Sequence, residues 1–265
     1  MMQKRWLSGL FLGAIVFVVV WFGDPSFSIF VAAVGILGSL EFFPLIGISK
    51  KHPITIFGTI GVLLFIGMAQ FEMKYTAQLL TAAVILPLIW LVFQPDIKHA
   101  AVNWAWLIVG ILYLGWMLSN FIPLRQIENS GRDWVLLAMI GNIVSDTVAF
   151  HCGLKWGRHR MAPRISPAKS WEGAIAGFIG AVAVVMVLGT FLPTLKLPYW
   201  QSLDLGVIVG FFAPLGDLAE SLLKRSTGIK DSGNCVPGHG GILDRLDSML
   251  FTVVVVYYFV TWAIV

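Results

Sequence analysis

The chain has 265 residues, of which 58% are hydrophobic and only 12% are charged, and its formal net charge is +4. This composition excludes an ordinary soluble domain, in which about a quarter of the residues carry a charge. Long apolar runs fill nearly the whole chain, and each is long enough for the roughly 20 residues that a membrane-spanning helix needs. We therefore predict an all-α, polytopic integral membrane protein.

Taken in chain order, the apolar runs predict about nine transmembrane helices and a cytosolic N-terminus. They cover residues 6–22, 27–45, 54–71, 76–93, 104–122, 134–152, 172–192, 203–222 and 249–265. The first run is not followed by a small-residue cleavage site, which indicates an uncleaved helix rather than a signal peptide. We expect a single membrane domain over residues 1–265, in which residues 1–125 are N-terminal helices and residues 126–265 carry the polar loops.

The distribution of positive charge supports this topology. The predicted topology places 14 of the 18 Lys and Arg residues on the cytosolic side and 4 on the other side, as the positive-inside rule requires. The two most polar loops, 153–171 and 223–248, both face the cytosol. Cys152 and Cys235 lie far apart and form no CxxC pattern, so we expect free thiols rather than a disulfide or a zinc site.

The stretch from Asp217 to Asp247 carries an unusual density of charge for this chain. In a helix, Asp217 and Glu220 fall on one face, and Asp244 and Asp247 lie one turn apart. Two carboxylate-bearing turns joined by a Gly-rich loop are typical of a divalent metal site. The alternative is a solvated loop between two membrane helices. Acids at membrane depth are costly, however, and their presence favours a function.

The run Gly-His-Gly-Gly at residues 238–241 favours phosphate binding, because glycine lets the backbone approach a phosphate closely. His239 within it is a candidate phosphate donor or proton shuttle near neutral pH. In an exposed glycine loop, it could equally be a turn residue without a chemical role.

Ionisable residues inside the predicted helices also indicate function. Asp146 precedes the basic run 155–164, and Asp217 lies eight residues before Arg225, which is about 12 Å along a helix. For each acid, an ion pair with a neighbouring helix is the alternative. For Glu41 this alternative stays fully open, because nothing cationic or phosphate-binding surrounds it in the sequence.

The segment before the seventh predicted helix has the features of an anion site. Ser170 is a predicted N-cap, and Lys169 stands beside the free amides of the helix start. The alternative is a basic loop that lies against anionic lipid head groups, a role that suits Arg158, Arg160 and Arg164.

Several segments of the C-terminal half form a long pattern of mixed residue types. They are Asp146-Thr147, Ser166-Pro-Ala-Lys169-Ser170-Trp-Glu172-Gly173, Ser221-Leu-Leu-Lys224-Arg225, Lys230-Asp231-Ser-Gly233 and Pro237-Gly-His239-Gly-Gly-Ile-Leu-Asp244-Arg245-Leu-Asp247. This pattern resembles the signature of the phosphatidate cytidylyltransferase (CDP-diacylglycerol synthase) family. Val236 departs from it, since the family usually carries Ile, Leu or Phe there, which alters packing rather than chemistry. The N-terminal helices match only in hydrophobic character and in Glu41-Phe42.

The resemblance implies transfer of CMP from CTP to phosphatidic acid, which gives CDP-diacylglycerol and pyrophosphate for phospholipid biosynthesis. It implies a Mg²⁺ cofactor with room for a second cation, and a homodimer among membrane lipids with no nucleic-acid partner. The enzyme would lie in the cell inner membrane or plasma membrane, with its active site on the cytosolic face.

The resemblance also implies roles for individual residues, without a covalent intermediate. Asp217 and Asp244 would bind the metal, with Glu220 close by. The catalytic group would be Asp217, Asp244, Asp247, Lys224, Arg225 and His239. The residues that bind the nucleotide and its phosphates would be Asp146, Lys169, Ser170, Lys230, Asp231 and Arg245.

Two other functions use the same features. A transporter or flippase for an anionic substrate could couple transport to buried acids, but the sequence has no internal repeat to support it. A CTP-dependent lipid kinase shares the membrane setting and the nucleotide. Analysis of the products distinguishes these two functions from the cytidylyltransferase: CDP-lipid with pyrophosphate indicates the cytidylyltransferase, phosphorylated lipid with CDP indicates the kinase, and no chemical change indicates the transporter.

Overall fold

The computed structural model of the protein describes residues 2–71, 74–94, 98–233 and 240–264. Helices make up most of this part of the chain. Their bounds are α1 Met2–Phe22, α2 Ser26–Leu45, α3 Pro53–Met68, α4 Thr76–Val92, α5 Ala100–Gly110, α6 Met117–Ser119, α7 Phe121–Gln126, α8 Gly131–Trp156, α9 Trp171–Phe191, α10 Tyr199–Ser226 and α11 Leu243–Ala263. A 3₁₀ turn, Ala69–Phe71, follows α3, and a π-helical segment, Ile111–Trp116, joins α5 to α6.

Seven helical segments of the described chain are long and apolar enough to cross a membrane. They are Ser26–Leu45, Pro53–Phe71, Ala100–Gln126, Gly131–Trp156, Trp171–Phe191, Tyr199–Ser226 and Leu243–Ala263. Two shorter apolar helices, Phe11–Phe22 and Thr76–Val92, coincide with the first and fourth predicted spans. The predicted class, a helical protein with several membrane spans, is therefore confirmed. The number nine and the side of the N-terminus stay predictions.

The chain divides into two compact units. The first consists of Met1–Pro123 and Asp231–Asp244, and the second of Leu124–Lys230 and Arg245–Val265. The first unit thus combines the N-terminal helices with a late segment of the chain. The single membrane domain over residues 1–265 stays a prediction.

In the first unit, aromatic side chains of α2 pack against glycines of the neighbouring helices. Phe42 and Phe43 are 1% and 0% exposed. A Cβ added at Gly58 of α3 would overlap the Phe43 ring, and one added at Gly110 of α5 would lie 2.9 Å from both rings. Since such packing holds helices together in lipid, these contacts fix the rotation of α2 and the direction of the adjacent Glu41.

In the second unit, α8, α9 and α10 approach one another through glycines. A Cβ added at Gly177 of α9 would lie 2.6 Å from the carbonyl oxygen of Ser145 on α8. One added at Gly206 of α10 would lie 2.9 Å from the Cα atom of Val182 on α9. Glycine at such positions lets the helix backbones approach closely, as is common between membrane helices.

Between α8 and α9 the chain forms a small hairpin rather than the irregular loop that the polar sequence 153–171 suggested. Strand β1, Arg160–Ala162, pairs antiparallel with β2, Ser166–Ser170. The amide of Ile165 donates to the carbonyl of Ala162 at 3.1 Å and closes the turn between the strands. Because β2 runs directly into α9, the hairpin places Lys169 and Ser170 at the start of that helix.

Candidate active site

Lys169 and Asp217 form an ion pair in the second unit. The Nζ atom of Lys169 lies 2.7 Å from Oδ2 of Asp217 on α10. The same Nζ lies 3.4 Å from the carbonyl oxygen of Pro214, which is one turn earlier on α10. Both charged side chains keep partial exposure, at 22% and 30%. Two predicted site residues that are far apart in sequence are therefore neighbours, and both remain accessible to a ligand.

Asp146 of α8 is held by a partly buried hydrogen-bond network with α11. Its Oδ2 accepts from Oγ of Ser248 at 2.9 Å and from Nδ2 of Asn142 at 3.3 Å. Asn142 also donates to Ser248 Oγ at 2.8 Å and accepts from Thr252 Oγ1 at 2.8 Å. Asn142, Ser248 and Thr252 are not among the predicted site residues. The available signal was helical spacing: Asn142 lies four residues before Asp146, and Thr252 lies four residues after Ser248.

A third carboxylate, Asp247, belongs to the same group. Its Oδ1 accepts the amide hydrogen of Ser248 at 2.7 Å. Asp247 interacts electrostatically with Asp217 and Asp146, and also with Lys169 and Lys224. Asp146, Asp217 and Asp247, which lie on α8, α10 and α11, thus interact electrostatically with one another and with two ammonium groups. Such an arrangement of opposite charges suits the binding of phosphates together with a cation.

Glu220 and Lys224 form a second ion pair on α10. Lys224 Nζ lies 3.2 Å from Oε1 of Glu220, one helical turn away. Glu220 is 0% exposed and Lys224 is 9% exposed. The structure therefore holds Lys224 in a fixed position through a buried carboxylate. The predicted roles of Glu220 near a metal and of Lys224 at a phosphate stay predictions.

Arg225 connects the end of α10 to the hairpin. Its Nε donates to the carbonyl oxygen of Ile165, in the turn between β1 and β2, at 3.2 Å. Its Nη1 donates to the carbonyl oxygen of Ile229 at 3.4 Å. Arg225 is exposed, as is the predicted phosphate-binding residue Lys230. The hydrogen bonds of Arg225 place a cation beside the segment that carries Lys169.

Ser170 is the N-cap of α9, as predicted. Its φ and ψ are −122° and 154°, and its Oγ accepts the amide hydrogen of Gly173 at 3.2 Å. Glycines crowd around this hydroxyl, since a Cβ added at Gly157 would lie 2.5 Å from Ser170 Oγ and one at Gly153 3.2 Å from it. Ser170 is only 3% exposed. Its observed contact is therefore structural, and the predicted contact with nucleotide stays a prediction.

The remaining predicted residues belong to the late segment of the first unit, Asp231–Asp244, or to the first turn of α11. Asp244 accepts amide hydrogens from Gly241 at 2.8 Å and from Ser232 at 3.2 Å, both on its Oδ2. Asp231 and Arg245 are exposed. His239 lies outside the described residues, so its predicted role as phosphate donor or proton shuttle stays a prediction.

The donor chemistry of the acidic group fits a hard divalent cation, because Mg²⁺ prefers carboxylate oxygens. Within the described ranges, no set of three or more His, Cys, Asp and Glu side chains already has the geometry of a metal site. Asp217 is paired with Lys169 instead. The metal-ligand assignments of Asp217, Asp244 and Glu220 therefore rest on residue type and on the sequence resemblance.

Comparison with known proteins agrees with the resemblance. Residues 3–263 match the cytidylyltransferase family. The chain is 32% identical over 268 residues to a phosphatidate cytidylyltransferase of Bacillus subtilis, and this match covers 97% of each chain. Shorter matches join it to proteins of the same name in Thermotoga maritima, with 39% identity over 56% of each chain, and in Mycobacterium bovis, with 42% identity over 55% of this chain and 47% of the other. Because the family match covers nearly every residue, the chain belongs to the cytidylyltransferase family.

Proposed function

We propose that this protein transfers the CMP group of CTP to phosphatidic acid and releases pyrophosphate, which makes CDP-diacylglycerol for phospholipid synthesis. The observation that carries the proposal is the similarity to the Bacillus subtilis phosphatidate cytidylyltransferase over 97% of both chains. The protein is a CTP-dependent nucleotidyltransferase with several membrane spans. A lipid substrate suits an enzyme whose polar side chains lie on membrane helices.

The reaction needs no nucleophile from the protein. An oxygen of the lipid phosphate forms a bond to the α-phosphorus of CTP, and the bond between that phosphorus and the leaving pyrophosphate breaks. Both reactants are anions, so the protein must offset their repulsion and align them. Lys169 and Arg225 of the second unit would supply positive charge that offsets this repulsion, and the ion pair of Lys224 with Glu220 supports a similar role for Lys224.

We infer that Asp217 and Asp244 hold Mg²⁺, with Glu220 close by and a second cation as a further occupant. The assignment of Asp244 rests on the sequence resemblance, whereas the electrostatic interaction of Asp217 with Asp146 and Asp247 supports a cation near Asp217. When bound, Mg²⁺ would neutralise charge on the phosphate oxygens. The protein's own part is to orient the carboxylates, through contacts such as that of Asp146 with Ser248.

The test is to incubate purified protein with labelled CTP, phosphatidic acid and Mg²⁺ and to extract the lipids. We expect labelled CDP-lipid and free pyrophosphate. A phosphorylated lipid together with CDP would instead identify a lipid kinase. Unchanged nucleotide and lipid would contradict the enzymatic proposal and favour a transporter.

Lys169→Ala is expected to raise the KM for CTP. An ammonium group beside the start of a helix suits a phosphate, and loss of one charged hydrogen bond costs about 1.5–3 kcal/mol, or roughly ten- to a hundredfold. Steady-state kinetics with each substrate varied in turn measure this. Arg164→Ala is the control, because Arg164 is an exposed cation of the same segment. A change confined to the dependence on phosphatidic acid would show that Lys169 serves the lipid instead.

Asp217→Asn and Asp244→Asn are each expected to lower kcat by at least roughly a thousandfold, because either change removes a charge that holds the cation. Activity is measured across Mg²⁺ concentrations, and thermal unfolding is measured in parallel. Asp204→Asn is the control, since Asp204 is an exposed acid of α10.

A structural ion pair predicts another pattern for Asp217. Without its charge, the contact with Lys169 would weaken, thermal stability would fall and most activity would survive. If both variants keep more than about a tenth of the wild-type rate at saturating Mg²⁺, the metal assignment is wrong.

We further propose that the site faces the cytosol, in the cell inner membrane or plasma membrane, and that the enzyme is a homodimer. The 14-to-4 distribution of Lys and Arg supports the orientation. In a chain without Cys152 and Cys235, Arg160→Cys should react with an impermeant thiol reagent only after the cells are opened. Lys196→Cys should react in intact cells. Labelling of the first variant in intact cells would refute the orientation.

A further inference from the structure

Glu41 is a buried acid for which the sequence offered no partner. It lies on α2 and is 7% exposed. Its Oε2 accepts the hydroxyl hydrogen of Ser232 at 3.3 Å and the amide hydrogen of Leu243 at 3.0 Å. Leu243 is the first residue of α11, so Glu41 satisfies an amide that has no partner within its own helix. The carboxylate also suits the positive end of the helix dipole.

Two glycines allow the backbone to close around this carboxylate. A Cβ added at Gly233 would lie 2.6 Å from Oε1 of Glu41, and one added at Gly241 would collide with Oε2 of Glu41 and with Ser232 Oγ. Any larger residue at either position would therefore displace the acid. The glycines of this motif serve the fit around Glu41 as well as any close approach to phosphate.

Asp244 is a second carboxylate that bonds to the residues around Glu41. Its Oδ2 accepts amide hydrogens from Gly241 at 2.8 Å and from Ser232 at 3.2 Å. Ser232 at one end and Gly241 to Leu243 at the other are thus tied to two carboxylates. Glu41 comes from the N-terminal part of the chain, whereas Asp244 belongs to the segment itself.

We propose that Glu41 is a positioning residue. Through its hydrogen bonds it fixes the two ends of segment 231–244 and the first residue of α11 relative to each other. This deepens the proposed function, on which it rests, because the segment contains Asp231 and Asp244 and α11 carries Asp247 one turn later. Glu41 acts through Oε2 and its hydrogen bonds, and it does not bind substrate or metal.

The substitution Glu41→Gln distinguishes this positioning role from direct binding of a ligand by Glu41. Gln keeps the length of the side chain and an oxygen that accepts from Ser232 and Leu243, but it loses the charge. Positioning therefore predicts that Glu41→Gln keeps kcat within about fivefold of wild type, whereas Glu41→Ala loses about a hundredfold. A ligand role through Oε1, which has no hydrogen-bond partner among the described residues, predicts that Gln is as damaging as Ala.

The experiment measures kcat, the KM for CTP, and hydrogen–deuterium exchange of peptides across residues 231–248 in the full-length protein. Glu41→Ala should lower kcat with a smaller change in KM and should raise exchange across this segment. Glu41→Gln should resemble wild type in both. The control is Ser39→Ala, since Ser39 is a fully buried residue of α2 whose hydroxyl bonds to Gly35 within the helix. It should change neither kcat nor exchange across 231–248.

Ser232→Ala provides a second line of evidence and remains informative if Glu41→Ala does not fold. Alone it should raise exchange of the segment and lower kcat to a smaller extent. Combined with Glu41→Ala it should add little, because both changes break the same contact. Unchanged kcat and exchange in Ser232→Ala would overturn the inference.

Two further outcomes would also overturn it. One is wild-type kcat and exchange in Glu41→Ala. The other is a kcat in Glu41→Gln as low as that of Glu41→Ala while the segment keeps its protection. The exchange measurement does not depend on the reaction. If wild-type protein makes no CDP-lipid, the proposed function fails, while exchange still reports whether Glu41 holds the segment.

Discussion

Charged groups on membrane helices must find their partners inside the protein, and the arrangement of polar residues in this chain follows from that constraint. Three acids of the second unit illustrate it. Asp217 pairs with Lys169, Glu220 with Lys224, and Asp146 accepts from Ser248. The helices that carry these groups approach closely because glycines such as Gly177 and Gly206 leave room for neighbouring backbone. Close packing and polar pairing therefore depend on each other, since the pairs form only when the helices are near enough.

Much of the fold could be predicted because membrane helices follow simple rules of length and composition. The apolar runs located the helices. Ser170 could be identified as an N-cap since a serine before an apolar run satisfies free amides. The hairpin of β1 and β2 could not, because its strands of three and five residues carry no alternating apolar pattern.

The candidate site was predictable where it contains ionisable residues in a recognisable motif. Lys169, Asp217 and Asp247 could be named from sequence, although their proximity could not. Neutral polar residues were harder to identify. Asn142 and Thr252 look like ordinary members of apolar helices until the structure shows them bonded to each other. Glu41 illustrates the same difficulty at long range, because its partners Ser232 and Leu243 lie about two hundred residues away in the chain.

Polar pairs within one helix and between two helices have different consequences for how the protein enters the membrane during synthesis. Glu220 and Lys224 lie one turn apart on α10, so their charges can cancel within a single helix as it leaves the ribosome and is inserted. Asp146 of α8 is bonded to Ser248 of α11, which is translated about a hundred residues later. Insertion of α8 thus precedes the arrival of that partner, and until then Asp146 has Asn142 of its own helix as a donor. Loss of α11 by truncation would therefore remove hydrogen-bond partners of Asp146 and Asn142 on a helix that is made much earlier.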